Sequence, residues 1–170
     1  VPTIVVVAAI WPFVIMFGMH VPVMMALLPT WMEMGYDAIV SPATIATNLA
    51  GIGVELAYAL RAGSRENKEL GWTCFVTHVT ANISEPALYG IFLRDRKALA
   101  WDMLGAAAGG VTMGLLGGKV TLFSGVGFPF LEFLRFGEYS VPGAIGMVVA
   151  FGVSLALGLV FGFEKAQQKN

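Results

Sequence analysis

The sequence predicts an all-α membrane protein, a multi-helix bundle with broken helices and at least one re-entrant hairpin. Of its 170 residues, 57% are hydrophobic and 12% are charged, which is roughly half the charged fraction of a soluble domain. Residues 139–163 contain no charge and are long enough to cross a bilayer. Elsewhere, proline and glycine interrupt the apolar segments. Because so apolar a chain would expose large patches in water, lipid is its natural solvent.

The composition also excludes several classes of function. The net charge is −1 and no block of Lys or Arg occurs, so we expect no nucleic-acid partner. Cys74, the single cysteine, cannot form a disulfide or a thiolate metal site within one chain, and we expect it to pack in a helix. No P-loop, zinc-binding spacing or nucleophile elbow is present, so no metal and no cofactor is predicted.

The first third of the chain predicts broken helices followed by one clear span. Residues 1–32 have no charged side chain but four prolines, a pattern that lipid tolerates only where protein or water surrounds the backbone. A short acidic loop, "WMEMGYD", is predicted at residues 31–37. Residues 38–60 form the second span, with Glu55 near its basic end and able to reach the interface. The N-terminus lacks the features of a signal peptide and resembles a chain entered midway.

The remaining segments are predicted from charge and residue size. The loop "RAGSRENKEL" is rich in basic residues and should stay cytoplasmic. Residues 98–118 form a third span whose small side chains allow close helix packing, with Asp102 near the interface. Residues 119–138 fit a partly buried loop or interfacial helix. Residues 139–163 form the last span, before a polar tail.

Residues 71–93 are predicted to form a hairpin that enters the membrane and returns. Basic residues flank both ends, and both ends would therefore be cytoplasmic, which a single crossing does not allow. Each arm would have about 11 residues and reach roughly mid-membrane. The bend is expected near "NISEP", with the helix breaking at Glu85 because Pro86 restricts the residue before it. A simple span remains the alternative.

Ionisable groups inside a membrane protein usually face a bundle interior or a water-filled cavity. Glu85 is the strongest candidate, since broken helices at mid-membrane form the polar substrate sites of transporters. His20 lies between Gly18 and Pro22 and can donate and accept hydrogen bonds, so it suits a sugar hydroxyl or a structural role. For His78 we expect packing or hydrogen bonding. Asn48 is a candidate buried amide that, like His20, suits either a sugar hydroxyl or a structural role.

Three stretches resemble one family of sugar permeases. "ISEPALYGIFL" resembles a G-I-T-E-P-A-L-Y-G signature, "WPFVIMFGMH" an F-G-L-H segment, and "MGYDAIVSPATIATNLA" a G-Y-D…N-F-A-Q segment. The family is the IIC membrane component of the bacterial phosphoenolpyruvate-dependent phosphotransferase system, glucose superfamily, in its β-glucoside, sucrose or trehalose branch. The resemblance covers nearly the whole chain.

The resemblance implies a dimeric, multi-pass permease of the bacterial inner membrane. Sugar would bind at mid-membrane and be phosphorylated on entry by a phosphocysteine of a IIB partner, so the phosphorylating cysteine is not expected in this chain. His20 and Glu85 match family residues associated with sugar binding, and Ser84 keeps the hydroxyl of the signature Thr. We therefore predict His20, Asn48, Ser84 and Glu85 as sugar-binding residues. Glu85 is also the candidate for steering, or partly deprotonating, the attacking hydroxyl.

The sequence departs from the family pattern in ways that affect sugar preference. Asn82 replaces a Gly of the signature, Gly51 replaces a Gln, and Val21 and Pro22 follow His20. The chain, residues 1–170, corresponds to the C-terminal, sugar-binding part of the membrane domain. An N-terminal half associated with dimerisation and the IIB and IIA domains are not matched. Two other functions stay open: a non-transporting membrane remnant or assembly partner, and an ion-coupled sugar transporter with Glu85 as proton carrier.

Overall fold

The computed structural model describes residues 1–123 and 127–164 of the chain as a helical bundle. Within these ranges there is no β-strand, and a single antiparallel bridge joins Asp37 to Val120. The α-helices are α1 Pro2–Met16, α2 His20–Met34, α3 Val40–Arg61, α4 Arg65–Ala81, α5 Glu85–Ala87, α6 Arg96–Leu115 and α7 Ser140–Phe161. A π-helix, Leu88–Phe92, follows α5, and a 3₁₀ helix, Pro129–Tyr139, precedes α7.

Three helical segments of the described chain are long and apolar enough to cross a membrane: Val40–Arg61, Arg96–Leu115 and Pro129–Phe161. The last of these joins the 3₁₀ helix to α7. The predicted all-α membrane bundle is confirmed, and so are helices at 38–60, 98–118 and 139–163 within a few residues at each end.

Helices α3, α6 and α7 form the centre of the bundle because small residues let their backbones approach. A Cβ added at Gly109 of α6 would lie 2.7 Å from Ala150 Cβ and 2.9 Å from the carbonyl oxygen of Gly146, both in α7. A Cβ at Gly105 would lie 2.6 Å from Ser154 Cβ. Such contacts allow van der Waals attraction to hold helices together where lipid supplies no hydrophobic driving force. The predicted role of the small residues in this span is thereby confirmed.

The first 34 residues form two helices, and the break between them differs from the prediction. Pro12 and Pro29 lie inside α1 and α2, so proline does not divide this segment. The chain turns at Gly18, which has a positive φ of 70° that glycine adopts without steric cost. The acidic loop is also shorter than predicted, since α2 continues to Met34 and ends at Gly35. Asp37 then accepts hydrogen bonds from the backbone N–H groups of residues 39–41 and so caps α3.

A hairpin is formed by α4 on one side and by α5 with the π-helix on the other. Leu70 of α4 lies against Gly90, where an added Cβ would be 3.3 Å from Leu70 Cδ1. The arms are unequal in length. The first arm, α4, has 17 residues, whereas the second arm consists of three residues in α5 and five in the π-helix. The predicted loop at 61–70 is wrong after residue 64, because the Ser64 side chain accepts a hydrogen bond from the Asn67 N–H and starts α4 early.

The break in the hairpin lies three residues before its predicted place. Asn82 has a left-handed backbone, with φ of 55°, and its N–H closes α4 on the carbonyl of His78 at 2.9 Å. Asn tolerates this conformation better than most residues. Glu85 begins the next helix instead of ending the first, and Pro86 sits in its opening turn, where a missing N–H has no cost.

Asp95 fixes the end of the hairpin to the start of α6 and to the chain after α7. Its carboxylate accepts hydrogen bonds from the N–H groups of Lys97 and Ala98, and from that of Glu164 at 2.9 Å. Burial raises the pKa of this carboxyl, and the three backbone N–H groups offset part of that rise. The contacts hold the second arm of the hairpin against the bundle.

Candidate functional site

A first cavity, which we call the tip cavity, opens at the break of the hairpin. Its volume is about 240 Å³, and the side chains of His20, Ser84 and Glu85 line it. Trp11, Ile15, Met24, Thr44 and Asn82 complete its wall. Glu85 is exposed, whereas Nδ1 of His20 is buried and has no hydrogen-bond partner among the described residues. The tip cavity thus combines a carboxylate, an imidazole and a hydroxyl at a site open to a ligand.

A second cavity, the inner cavity, lies beside the first and also measures about 240 Å³. The two cavities share five lining residues: Trp11, Ile15, Thr44, Asn82 and Ser84. Six further polar side chains line only the inner cavity: Thr47, Asn48, His78, Asp102, Glu132 and Arg135. Aromatic and aliphatic side chains such as Phe92 and Leu88 form the rest of its wall. This mixture of convergent polar groups and apolar surface is usual in small-molecule sites.

A chain of hydrogen bonds runs through the polar wall and joins the hairpin to two other elements. Glu55 Oε1 lies 2.7 Å from His78 Nδ1, and His78 Nε2 lies 2.6 Å from Asn48 Oδ1. Asn48 Nδ2 donates to Asn82 Oδ1 at 2.6 Å. Asn82 Nδ2 makes a longer bond, 3.4 Å, to Glu132 Oε1. Residues of α3, α4 and the 3₁₀ helix are therefore connected in one continuous polar chain.

The far end of this polar chain is fixed by Arg135. Its Nη1 pairs with Glu132 Oε2 at 2.8 Å, with both side chains buried. Its Nε and Nη2 donate to the carbonyl oxygens of Leu122 and Phe123, each at 3.2 Å. A carboxylate and two carbonyls thus accept hydrogen bonds from three of the five N–H donors of this buried guanidinium.

The direction of each hydrogen bond follows from the Glu132 end. Glu132 accepts from Asn82 Nδ2, so the oxygen of Asn82 faces Asn48, and the oxygen of Asn48 faces His78. An oxygen at Nε2 requires that nitrogen to donate. The remaining contact, between His78 Nδ1 and Glu55, then holds one proton between an imidazole and a carboxyl. The amide orientations in the cavity wall are thus set by charged groups at both ends.

Asp102 and Glu55, which the sequence places near the membrane interface, are both enclosed by protein. Asp102 is 1% exposed and Glu55 is fully buried, because the hairpin covers this side of α3 and α6. Asp102 lines the inner cavity, and its buried Oδ1 has no hydrogen-bond partner in the described part of the chain. In the sequence, each is a lone acid inside an apolar helix, and its distance from a charged loop does not reveal that another element covers it.

The predicted site residues fall into two groups in the structure. His20, Ser84 and Glu85 share the tip cavity, although more than 60 residues separate the first from the others. Asn48 and Ser84 line the inner cavity, and Asn48 is half-buried. The expected hydrogen bonding of His78 is confirmed, and His78 lines the inner cavity. Sequence reasoning missed Asp102, Glu132 and Arg135 as residues of the cavity wall.

Known proteins similar to this chain are components of the phosphotransferase system (PTS). The PTS system beta-glucoside-specific EIIBCA component of Bacillus subtilis (strain 168) is 30% identical over 158 residues, which is 92% of this chain and 26% of the relative. The arbutin-, cellobiose-, and salicin-specific EIIBC component of Escherichia coli (strain K12) is 28% identical over 95% of this chain and 34% of its own length. The glucose-specific EIIBCA component of Corynebacterium glutamicum is 26% identical over 98% of this chain and 24% of its own length.

These relatives align with almost all of the chain, while the chain spans about a quarter to a third of their length. No family model matches the sequence. No solved structure matches it either. This similarity extends over nearly the whole chain, and it agrees with the sequence resemblance noted around Ser84 and Glu85. The chain is therefore similar over nearly its whole length to components of the phosphotransferase system, which is consistent with a IIC component of the glucose superfamily.

Proposed function

We propose that this chain is the sugar-binding part of a PTS membrane domain, which binds a β-glucoside or a similar sugar and carries it inward as it is phosphorylated. One observation carries the proposal: His20 and Glu85, from distant parts of the sequence, line one cavity at the break of a membrane hairpin. Irregular backbone inside a membrane protein is tolerated where it lines such a cavity, and there it forms substrate sites.

The chemistry of the tip cavity suits a neutral sugar. The Glu85 carboxylate accepts a hydrogen bond from a sugar hydroxyl, and His20 Nδ1 offers a buried position that lacks a protein partner. In the transfer step, the hydroxyl oxygen would attack phosphorus and the S–P bond of a phosphocysteine would break, with Glu85 accepting the hydroxyl proton. Because phosphoryl transfer depends mainly on positioning and electrostatics, a single well-placed carboxylate is adequate for this role.

The phosphate donor would be a IIB domain, in this polypeptide or in a separate one. Several relatives are EIIBC or EIIBCA components, whose names include a IIB part. The one cysteine of this chain, Cys74, is buried in the hairpin and is far too enclosed to receive a phosphoryl group from outside. We further propose that the protein crosses the bacterial inner membrane several times and works as a homodimer of the complete membrane domain.

The test is phosphorylation-coupled uptake of cellobiose by the full protein with its IIB partner, in membrane vesicles supplied with the general phosphotransferase proteins. Glu85→Gln is expected to lower the rate at least about a hundredfold, since it removes the carboxylate that orients and deprotonates the hydroxyl. His20→Gln is expected to weaken binding about tenfold. Glu33→Gln is the matched control, because Glu33 is an exposed acid that lines neither cavity.

The same experiment separates the alternatives. Uptake of unmodified cellobiose that depends on a proton gradient would favour an ion-coupled transporter. Absence of both sugar binding and uptake in the complete, folded protein would favour a non-transporting remnant. An equal loss in Glu85→Gln and Glu33→Gln would remove Glu85 from the site.

A further inference from the structure

The inner cavity contains a carboxylate that the proposed phosphorylation chemistry does not use. Asp102 lines this cavity, is 1% exposed, and has a buried Oδ1 with no hydrogen-bond partner among the described residues. An unpaired buried carboxylate is expensive to maintain. The carboxylates of Glu55 and Glu132, by contrast, each have a side-chain partner. Asp102 is therefore the acceptor in this wall whose hydrogen bonds remain to be supplied by a ligand.

The space in front of Asp102 exists because residue 51 is a glycine. A Cβ at this position would lie 3.7 Å from Asp102 Oδ1, 3.5 Å from His78 Cε1 and 3.9 Å from the Phe92 ring. These are ordinary contact distances, so an alanine would fit without moving its neighbours but would occupy the space before the carboxylate. Gly51 is thus a determinant of how deep the inner cavity is.

We infer that the inner cavity is a second subsite, which holds a hydroxylated second unit of the substrate, such as the reducing glucose of a β-linked disaccharide. This inference rests on the proposed function, in which the tip cavity binds the glucose that is phosphorylated. The two cavities share lining residues, Asn82 and Ser84 among them, so in this proposal adjacent rings of one disaccharide occupy them together. Asp102 accepts hydrogen bonds from hydroxyl groups of the second ring.

The polar chain supports this assignment from the opposite wall. Asn48 is held by His78 and Asn82 in a fixed orientation, and it lines the same cavity as Asp102. A ring with hydroxyl groups on its edge would meet amides on one side and a carboxylate on the other. An apolar aglycone could fill the same space but would supply no hydrogen bond to Asp102, so it is expected to bind less tightly than a hydroxylated ring.

The test compares three ligands in the complete membrane protein by calorimetry: cellobiose, phenyl β-glucoside and methyl β-glucoside. Asp102→Asn is expected to weaken cellobiose binding about tenfold and to change the other two less than about twofold, since only cellobiose has hydroxyl groups at this carboxylate. Gly51→Ala is expected to weaken cellobiose and phenyl β-glucoside, which both fill the inner cavity, but not methyl β-glucoside. Gly152→Ala is the control for Gly51→Ala, because nothing lies within 4 Å of its added Cβ.

Equal effects of Asp102→Asn on cellobiose and methyl β-glucoside, or no effect on either, would overturn the second subsite. The proposed function would survive that result if methyl β-glucoside still binds and Glu85→Gln still abolishes its phosphorylation. If instead none of the three sugars binds the wild-type protein, the proposed function itself fails. The two failures are thus distinguishable.

Discussion

Glu55 and His78 stabilise each other in a part of the molecule where either alone would be costly. Their side chains are 2.7 Å apart and almost completely buried between α3 and α4. Removing one partner of such a pair leaves a buried polar group without compensation, whereas removing both can be nearly neutral. The pair also determines which way the Asn48 amide points, so it links stability to the chemistry of the cavity wall.

We predict that His78→Leu lowers the free energy of unfolding by about 3 kcal/mol, because Glu55 then has no partner. The double variant, Glu55→Leu with His78→Leu, is expected to recover more than half of this loss. Thermal unfolding of the purified protein in detergent measures both effects. A double variant whose cost equals the sum of the two single variants would contradict the pairing.

How far single residues were predictable depended on whether a local pattern constrained them. The break beside Glu85 was visible because Pro86 restricts its neighbour, although Asn82, with its left-handed backbone, moved the break three residues earlier. Asp102 was not predictable, because its burial comes from His78 and Phe92 of the hairpin, elements distant in sequence. Arg135 was missed because a basic residue in a charged segment suggests a surface position, while here two carbonyls and Glu132 surround it.

The packing of α6 against α3 and α7 depends on glycines at one face. Gly105 and Gly109 are one turn apart, and both meet α7 at distances that no side chain would allow. The repeated small residues predicted this span and its close contacts. The sequence could not specify which helix would be the partner, since α3 and α7 are also rich in Gly and Ala.

We predict that Gly109→Ala destabilises the protein by about 2 kcal/mol, because the new methyl group would lie 2.7 Å from Ala150 Cβ and force α6 and α7 apart. Gly152→Ala in α7 adds a methyl group to open space and is expected to have no such cost. Thermal unfolding in detergent compares the two. Similar melting temperatures for both variants would show that the α6–α7 contact is looser than described.

The arrangement of the whole bundle places both ends of the hairpin near each other. The Leu70–Gly90 contact and the Asp95 cap hold the second arm back along α4. Loop charge predicted a hairpin, and the structure agrees that the chain reverses within it. Its two arms are unequal because Ser64 starts the first one early, a local capping effect that the charge pattern did not reveal.

We predict that Arg65→Cys and Arg96→Cys are labelled by an impermeant maleimide from the same side of the membrane. Cys74 is buried and should react little, so it can remain in both variants. Labelling intact cells and inside-out vesicles gives the side of each residue. Labels on opposite faces would show that residues 71–93 cross the membrane completely.

The polar chain from Glu55 to Arg135 also restrains the relative positions of elements that are far apart in the sequence. It bonds α4 to α3 through His78, and the hairpin break to the 3₁₀ helix through Asn82. A displacement of the hairpin tip would have to break these bonds, and the walls of both cavities would separate with them. If the tip cavity binds sugar as proposed, movement of the hairpin tip and loss of the sugar site would be one event, so the tip would stay in place for as long as the site is intact.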